Sequence, residues 1–415
     1  MEIQFAANTK KTSLCNSNTA AEAFLALGIN ASVAWSDFHQ WPYWPDDYDM
    51  LFLGSSFNGF DVNWLAYEYW SENANHPYTN MPRWRNSSYD SWRTQLLNSS
   101  TYEEVYEAAI EMQHILVYEC PIVVAYVNML LSAYRTDRFE GFVNSMQGGV
   151  LGWWTNYKVH LKQSEGGPFG GTIRWSNPLD VDSFNFMVTS SSYSMKVLEM
   201  THDSLIRQGL DGLDMMWLAK SYTIETHEDN PAIFEGETRF TFQLVENATW
   251  SDGTRLTGED VAFTLKYYCD SPGNPYGKNL EDMKDAYAPN PFAVVIDFES
   301  ESYWHLHDVG YKPILPKHVF QEIGLDGWNL YNPNPPIDAM VTSGPFNVSH
   351  YEASEYVEIS RNPFYFYGPV IPSPTTTTTP PEPVDPRYYL FGTIAGVFLC
   401  VIVIVMADWT LKKNR

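Results

Sequence analysis

Residues 240–263 carry the pattern that most constrains this chain, because strand, turn and helix signals follow one another there. Apolar residues from Phe240 to Leu244 alternate with polar ones, which is the period of a half-buried strand. A Ser-Asp-Gly triplet from residue 251 supplies turn chemistry, since Asp bonds nearby backbone and Gly accepts positive φ. Thr257 and Asp260 have the spacing of a capping box. The stretch predicts a strand–turn–helix unit of an α/β domain.

The upstream half shows similar alternation of strand and helix signals. Residues 2–8 and 29–35 are predicted strands around a helix over 20–27 that ends at Gly28, and residues 48–54 form a later strand. Ser100 or Thr101 caps a further helix with an apolar stripe, which ends at Cys120-Pro121. A buried-type strand is expected over 122–126. These alternations favour layered α/β structure.

Composition excludes some partners. The chain has 415 residues and a formal charge of −25, from 50 acidic and 25 basic residues, so phosphate-rich nucleic acid is not an expected partner. Its four cysteines (Cys15, Cys120, Cys269 and Cys400) show no metal-binding spacing. No metal or cofactor is expected. The sequence signatures of hydrolases, zinc proteases and NTPases are absent, so an enzyme is not predicted.

The string from Phe240 to Phe263 resembles the segment "tFkLR.gvkWsDGtpltaeDV.fs" of the family-5 extracellular solute-binding proteins, the peptide and nickel receptors of ABC importers. Further matches follow the family's order: residues 172–180 resemble its opening strand and "sLDP" turn, and residues 195–205 its "v...lyegLv" helix. The resemblance implies a bilobed, type II periplasmic-binding-protein-like α/β fold. It also implies a solute held between two lobes.

The two halves of the resemblance stand in swapped order. Residues 1–163 resemble the family's C-terminal part, residues 164–171 form a Gly-rich linker, and residues 172–368 resemble its N-terminal part. The middle segment of the second lobe has no counterpart. Two interpretations remain open: a shortened, permuted receptor, or the tail of a longer tandem receptor, which the lack of a recognisable signal peptide favours.

The last segments predict membrane attachment. Residues 369–387 are rich in Pro and Thr and are typical of an extended stalk. Residues 388–407 carry no charge, and twenty such residues are enough to cross about 30 Å of hydrocarbon as one helix. Residues 408–415 form a basic tail. We expect a single-pass protein in contact with the lipid bilayer, with the bulk of the chain outside the cell.

The resemblance also places a ligand site. In peptide receptors of the family, the loop after the "fDm" strand lines the cleft and often holds an aspartate for the peptide α-amine. The matching loop here contains Gly54, Ser55, Asn58 and Asp61, so the carboxylate position falls on an amide. Aromatic residues crowd the preceding loop, including Trp35 and Trp41. Their rings either stack on a sugar or pack between the lobes, and packing is favoured.

Two further patterns complete the predictions. Sequons for N-glycosylation occur at Asn30, Asn86, Asn98, Asn247 and Asn347. His305 and His307 are interpreted as solvated side chains rather than metal ligands, because side chains at i and i+2 on a helix point apart.

The predicted function is that of a membrane-anchored receptor delivering oligopeptides to ABC permease subunits. An oligosaccharide receptor, or a surface interaction protein that no longer binds solute, remains the alternative.

Overall fold

The computed structural model describes residues 2–7, 11–35, 49–51, 62–75, 79–124, 131–145, 148–177, 179–335, 337–338 and 340–367. The chain divides into two units, Met1–Gly368 and Pro369–Arg415, and every described residue belongs to the first. Among the described residues, no helix combines the length and apolar character needed to cross a bilayer. The predicted stalk, membrane helix and basic tail lie outside them.

Helices and strands alternate along the described chain, as the mixed α/β prediction required. The helices are α1 Lys11–Ala26, α2 Leu65–Glu68, α3 Ser87–Asn98, α4 Tyr102–Glu119, α5 Trp153–Lys158, α6 Ser192–Leu198, α7 Gly258–Asp270, α8 His305–Gly310 and α9 Lys317–Ile323. The strands are β1 Glu2–Ala7, β2 Asn30–Trp35, β3 Met50–Leu51, β4 Phe139–Glu140, β5 His160–Leu161, β6 Ile206–Gln208, β7 Asp214–Met216, β8 Ala219–Glu225, β9 Thr238–Leu244, β10 Met283–Asn290, β11 Ala293–Phe298, β12 Phe346–Glu352 and β13 Tyr356–Arg361.

A small parallel sheet opens the chain, in the order β2-β1-β3. Helix α1 crosses from β1 to β2, and Gly28 ends this connection with a φ of +80°, which glycine adopts without the clash of a Cβ. Ala21 and Ala31 form the buried centre between helix and sheet. The predicted strands at 2–8 and 29–35 are therefore confirmed. Of the strand predicted over 48–54, Met50–Leu51 form β3, and residues 48 and 52–54 lie outside the described residues.

Helices α3 and α4 form a second layer of the upstream half. The Asn86 side chain caps α3 by accepting from the Tyr89 N–H at 3.0 Å, and Thr101 caps α4 by accepting from the Glu104 N–H at 3.3 Å. Helix α4 ends at Cys120, which adopts the left-handed conformation. The predicted cap and the predicted end of this helix are both confirmed.

The main sheet of the downstream half is antiparallel, in the order β10-β11-β9-β8. Phe240, Phe242 and Leu244 on β9 are buried, while Gln243 between them is exposed. The alternation predicted from the sequence is therefore confirmed. Helix α7 packs beside β10 and β11, and Val261 and Leu265 enter the same core.

Asp260 joins the starts of two helices. Its Oδ2 accepts from the Thr257 N–H at 2.9 Å, and a capping box at the start of α7 is formed as predicted. Its Oδ1 accepts from the Lys317 N–H at 3.1 Å, at the first residue of α9. One buried carboxylate therefore satisfies backbone donors at two helix N-termini, which otherwise lack partners within their own helices.

Three predicted elements are wrong or shorter than expected. Residues 172–177, the predicted opening strand, form no strand, and their side chains are largely exposed. Helix α6 ends at Leu198 rather than at 205, because the chain turns there and residues 206–208 pair with β7 instead. Residues 122–124 form no strand and are exposed, with Val123 at 72% of its full accessibility. No neighbouring described strand pairs with this apolar run.

The two halves share a buried contact around Trp304. This side chain is 7% exposed and belongs to the cluster that contains Tyr89, Leu96 and Met112 of α3 and α4. Its Nε1 donates to the Leu96 carbonyl at 2.8 Å, and the adjacent Tyr303 N–H donates to the Ser99 carbonyl at 2.9 Å. A downstream residue is thus a core residue of the upstream helices.

Candidate functional site

The predicted ligand loop lies outside the described residues. This applies to Gly54, Ser55, Asn58, Asp61 and Trp41, while Trp35 is described only by its backbone at the end of β2. The assignment of these residues to a solute cleft stays a prediction.

The five sequon asparagines are all described. Asn30, Asn98 and Asn247 are exposed, whereas Asn86 and Asn347 are half-buried and use Oδ1 to accept from the Tyr89 N–H and the Thr342 hydroxyl. In Asn86 and Asn347, Nδ2, the atom that carries an N-linked glycan, is not the atom that makes these hydrogen bonds. Asn247 differs, because its Nδ2 donates to the Phe366 carbonyl at 2.9 Å. Glycosylation at these positions stays a prediction.

An open pocket of about 560 Å³ forms where helix α5, the β6–β7 hairpin and the end of the described chain meet. It is a concave surface of mostly apolar character, the kind of surface in which small ligands are usually bound. Its lining comprises Trp154, Tyr157, Lys158, Gly209, Leu210, Asp211, Asp214, Met215, Trp217 and Tyr367. We call this the aromatic pocket.

Four rings make the walls of the aromatic pocket. Trp217 is the buried centre, and its ring lies 5.9 Å from Trp154, 5.6 Å from Tyr157 and 4.7 Å from Tyr367, measured between centroids. The first two contacts are edge-to-face, with interplanar angles of 89° and 74°, and the third is tilted at 55°. Such arrangements are favourable for ring quadrupoles, so the walls hold one another in place.

The polar edges of three rings are occupied by the protein. Trp154 Nε1 donates to the Gln208 carbonyl at 3.2 Å, and Trp217 Nε1 donates to Asp203 Oδ1 at 2.9 Å. The Tyr367 hydroxyl donates to the Trp217 carbonyl at 3.0 Å. These three rings therefore offer a ligand carbon faces and edges, and their N–H or O–H groups are already engaged.

A buried ion pair lies behind Trp217. Asp203 is inaccessible to solvent, and its Oδ1 accepts from Arg207 Nη2 at 3.1 Å. Burial raises the pKa of Asp203 to about 6, although Arg207 and the Trp217 and Tyr365 donors lower it. Asp203 Oδ2 has no hydrogen-bond partner within the described part of the chain. Removing either charge of such a pair is costly, since the other is left buried and unpaired.

Arg207 also packs on aromatic faces. Its guanidinium carbon lies 3.8 Å from the centroid of the Trp153 ring and 5.4 Å from that of Trp217. Trp153 in turn stacks on Tyr157 of the pocket wall, with centroids 4.8 Å apart. The ion pair thus fixes the rings from behind, through one hydrogen bond and two cation–π contacts.

The rim of the aromatic pocket is charged. Asp214 accepts from the Tyr311 hydroxyl and is bonded to His307 Nε2 at 2.8 Å. Burial raises the pKa of Asp214, but the hydrogen bonds from His307 and Tyr311 outweigh it and the pKa lies below its ordinary value. Asp211 is exposed, and Lys158 Nζ lies 5.3 Å from the Trp154 ring centroid. The rim therefore carries two carboxylates and one ammonium group.

The histidine prediction is wrong in one respect. His305 and His307 point apart as expected, but neither is a solvated side chain. His305 is buried and stacks on Phe298 with centroids 3.8 Å apart, and His307 is held by Asp214. These partners were not predictable from local sequence, because Asp214 lies 93 positions upstream of His307.

The aromatic pocket was also not predicted from the sequence. A local signal exists, since Trp153 and Tyr157 recur at i and i+4 and share a helix face. However, Trp217 and Tyr367 come from segments about 60 and 210 positions further along the chain. Only the packing of α5 against the downstream half brings them together.

Part of the chain is similar to a known family. Residues 215–378 match the family described as "Bacterial extracellular solute-binding proteins, family 5 Middle". A putative ABC transporter peptide-binding protein of Brucella ovis is 27% identical over 135 residues, which cover 31% of this chain and 24% of that protein. An uncharacterized protein of Sinorhizobium fredii is 23% identical over 201 residues, which cover 48% of this chain and 29% of that protein. The matches thus span less than a third of these relatives' length.

Solved structures give similar matches. The Bacillus subtilis oligopeptide-binding protein AppA, in complex with a nonapeptide, is 21% identical with a TM-score of 0.38, covering 46% of this chain and 36% of that one. NikZ from Campylobacter jejuni, in complex with Ni(L-His), is 21% identical with a TM-score of 0.37, and the match covers 45% of this chain and 34% of that one. The match to the family-5 bacterial extracellular solute-binding proteins is thus confined to residues 215–378 of this chain.

Proposed function

We propose that this chain is a membrane-anchored solute-binding receptor of an ABC importer, and that its solute is an oligopeptide. The observation that carries the proposal is the family-5 segment at residues 215–378. Related proteins of Brucella species are described as putative ABC transporter peptide-binding proteins, which favours peptides over other solutes. The partners are then the solute and the permease subunits. Binding by closure of a hinge requires no covalent chemistry.

The packing between the two halves supports the permuted interpretation. Trp304 completes the core of α3 and α4, and Trp153 Nε1 donates to the Glu199 carbonyl at 2.9 Å. Upstream and downstream segments thus meet at two separate places within one compact unit. This is the arrangement expected if the halves of a receptor assemble in swapped order.

Membrane attachment rests on the sequence of residues 369–415. The Pro/Thr-rich segment, the uncharged run 388–407 and the basic tail are in the order expected for a stalk, a membrane helix and a cytoplasmic end. Protease added to intact cells should therefore release a soluble fragment of nearly full length. Complete protection of the chain would mean the opposite orientation.

Ligand-dependent stabilisation tests the receptor function. A ligand that binds only the folded state stabilises it by RT ln(1 + [L]/Kd), which is about 2.7 kcal/mol at 100 times Kd. We expect pools of short peptides to raise the unfolding temperature, and oligosaccharide pools to leave it unchanged. A response to oligosaccharides alone would indicate a sugar receptor. No response to either would favour a surface interaction protein that no longer binds solute.

Asn58→Asp tests the predicted cleft loop. The change restores a carboxylate at the position where peptide receptors of the family hold an α-amine, and a charge-assisted bond is stronger than one to a neutral amide. Affinity for free-amine peptides should rise severalfold, while N-acetylated peptides should gain nothing. Equal effects on both peptide classes in a calorimetric titration would remove Asn58 from the site.

A further inference from the structure

We propose that the aromatic pocket binds an organic cation, an alkylammonium group held against ring faces and balanced by the carboxylate of Asp214. The proposal concerns binding at this pocket alone. It holds whether or not the chain delivers a solute to a permease, and it does not involve the predicted loop at residues 54–61.

The first argument is what the walls can offer. The N–H groups of Trp154 and Trp217 and the hydroxyl of Tyr367 donate to protein acceptors. A ligand that needs hydrogen bonds from ring edges, such as an extended peptide lying across aromatic residues, is therefore poorly matched. Ring faces remain, and their negative quadrupole attracts cations.

The second argument is that this ring cluster already holds protein cations. The Arg207 guanidinium lies 3.8 Å from the Trp153 centroid behind the wall, and Lys158 Nζ lies 5.3 Å from the Trp154 centroid at the rim. Both distances fall within the range of attractive cation–π contacts. The protein's own side chains thus show which charge these faces accept.

The third argument is the charge of the rim. Hydrogen bonds from His307 and Tyr311 hold the Asp214 carboxylate in place, and Asp211 adds a second carboxylate. Lys158 is the single cationic residue of the lining. No ion pair in the described part of the chain joins Lys158 to either aspartate. With His307 neutral, the described lining therefore carries one net negative charge, which a bound cation can balance.

A further carboxylate lies behind the central ring. Trp217 Nε1 donates to the buried Asp203, which places negative charge at the edge of the indole. Arg207 offsets part of this charge and prevents a bare buried anion. The indole is thus held in place by the pair, and it forms part of the pocket lining.

The test compares choline with 3,3-dimethylbutan-1-ol, which has the same shape but no charge. Both are titrated into the full chain while tryptophan fluorescence is recorded, in about 0.15 M salt to screen the overall negative charge. We expect choline to bind roughly tenfold more tightly than its neutral isostere. Equal affinities would mean an apolar pocket only, and would overturn the proposal, as would no binding of choline at millimolar concentration.

Three variants separate the contributions. Trp154→Leu keeps the net charge, and should abolish most of the preference for choline over the isostere. Asp214→Asn should weaken choline severalfold and leave the isostere unchanged. Lys158→Met should strengthen choline severalfold, because it removes a competing ammonium from the Trp154 face. The opposite signs expected at positions 214 and 158 cannot arise from a general loss of folding.

Asp326→Asn is the matched control, since Asp326 is exposed and does not line the aromatic pocket. Its choline affinity should equal that of the unmodified chain. If Asp326→Asn and Asp214→Asn weaken choline equally, binding reflects overall charge and the proposal is wrong. If Asp214→Asn fails to fold, Lys158→Met and Trp154→Leu still decide the question.

Discussion

The upstream and downstream halves of this protein bury apolar surface very differently. Downstream, a single buried cluster runs from Val181 to Phe366 and includes the main sheet, α7 and Trp217. Upstream, among the side chains that the structure describes, one cluster has Ala21 and Ala31 as its buried residues, and the other includes Trp304 from the downstream half. Large apolar side chains are exposed in both halves, among them Tyr118 and Leu131 upstream and Leu330 downstream.

This difference shows where the stability of the described chain resides. Burial of apolar surface is the main favourable contribution to folding, and it must exceed the loss of conformational entropy. The downstream half meets this requirement within its own residues. The buried cluster of α3 and α4 includes Trp304 from the downstream half, so we expect the folding of these helices to depend on that half.

Separating the halves is the strongest test of this comparison. Residues 172–367 expressed alone should unfold in one cooperative transition, because their core cluster draws few residues from elsewhere. Residues 1–163 alone should lack a cooperative transition in urea and bind a hydrophobic dye. The reverse outcome, a stable upstream fragment, would contradict the dependence of α3 and α4 on Trp304.

Trp304→Ala should weaken that dependence within the intact chain. Removing a buried Trp from a core costs about 3–5 kcal/mol, and here the Leu96 carbonyl also loses its donor. Urea unfolding followed by circular dichroism gives the free energy. Trp175→Ala is the control, because Trp175 is 38% exposed, and it should cost less than about 1 kcal/mol. Similar costs for both changes would mean that the shared core contributes little.

The pKa values of the adjacent residues His202 and Asp203 report how well the downstream core excludes water. Burial lowers the pKa of His202 to about 4 and raises that of Asp203 to about 6. Between pH 6.5 and 4 the unfolded His202 binds more protons, so stability falls as pH falls. Between pH 6 and 3.8 the folded Asp203 binds more protons, so stability rises as pH falls. The two effects oppose each other.

Substituting either residue should reveal the effect of the other on the free energy of unfolding, and each effect is on the order of 3 kcal/mol. As pH falls from 7 to 4, His202→Gln should gain stability relative to the unmodified chain, and Asp203→Asn should lose it. Urea unfolding at several pH values measures both differences. Slopes of the same sign would contradict the assignment of these shifts to burial.

The smallest expected effects concern helix caps. Thr257→Ala removes part of the capping box of α7 in the downstream core and should cost about 1–2 kcal/mol. Thr101→Ala removes the more exposed cap of α4, where the bond to Glu104 N–H is 3.3 Å long, and should cost about 0.5–1 kcal/mol. Urea unfolding of both variants gives the order. A larger loss of stability for Thr101→Ala than for Thr257→Ala would contradict the expectation that the downstream cap contributes more.

Features with local causes were predictable from the sequence. The strand at Phe240 to Leu244, the turn at Asp252 and the box of Thr257 and Asp260 depend on residues within about twenty positions of one another. The Asp252 side chain accepts from Thr254, and Gly253 has a φ of +88°, as the turn chemistry requires. The caps and ends of α4 were predictable for the same reason.

Features with distant causes were not predictable. The run at Ile122 to Val124 has strand composition, but a strand needs a partner, and no described strand pairs with it. Helix α6 stops at Leu198 because β6 pairs with β7 beyond it. The aromatic pocket needs Trp154, Trp217 and Tyr367 from three separate segments. Sequence reasoning found the family resemblance without locating this pocket.

Asp260 limits how the chain can diverge. Its two carboxylate oxygens accept from backbone N–H groups at the starts of α7 and α9. Asparagine has the same shape but only one acceptor oxygen, so it would turn an NH₂ group toward one of these donors. Glutamate is longer by one methylene and does not fit the same two bonds without movement of a helix. Substitutions that are usually regarded as conservative are therefore the ones that evolution should reject here, and position 260 is a sensitive marker for distant relatives of this chain.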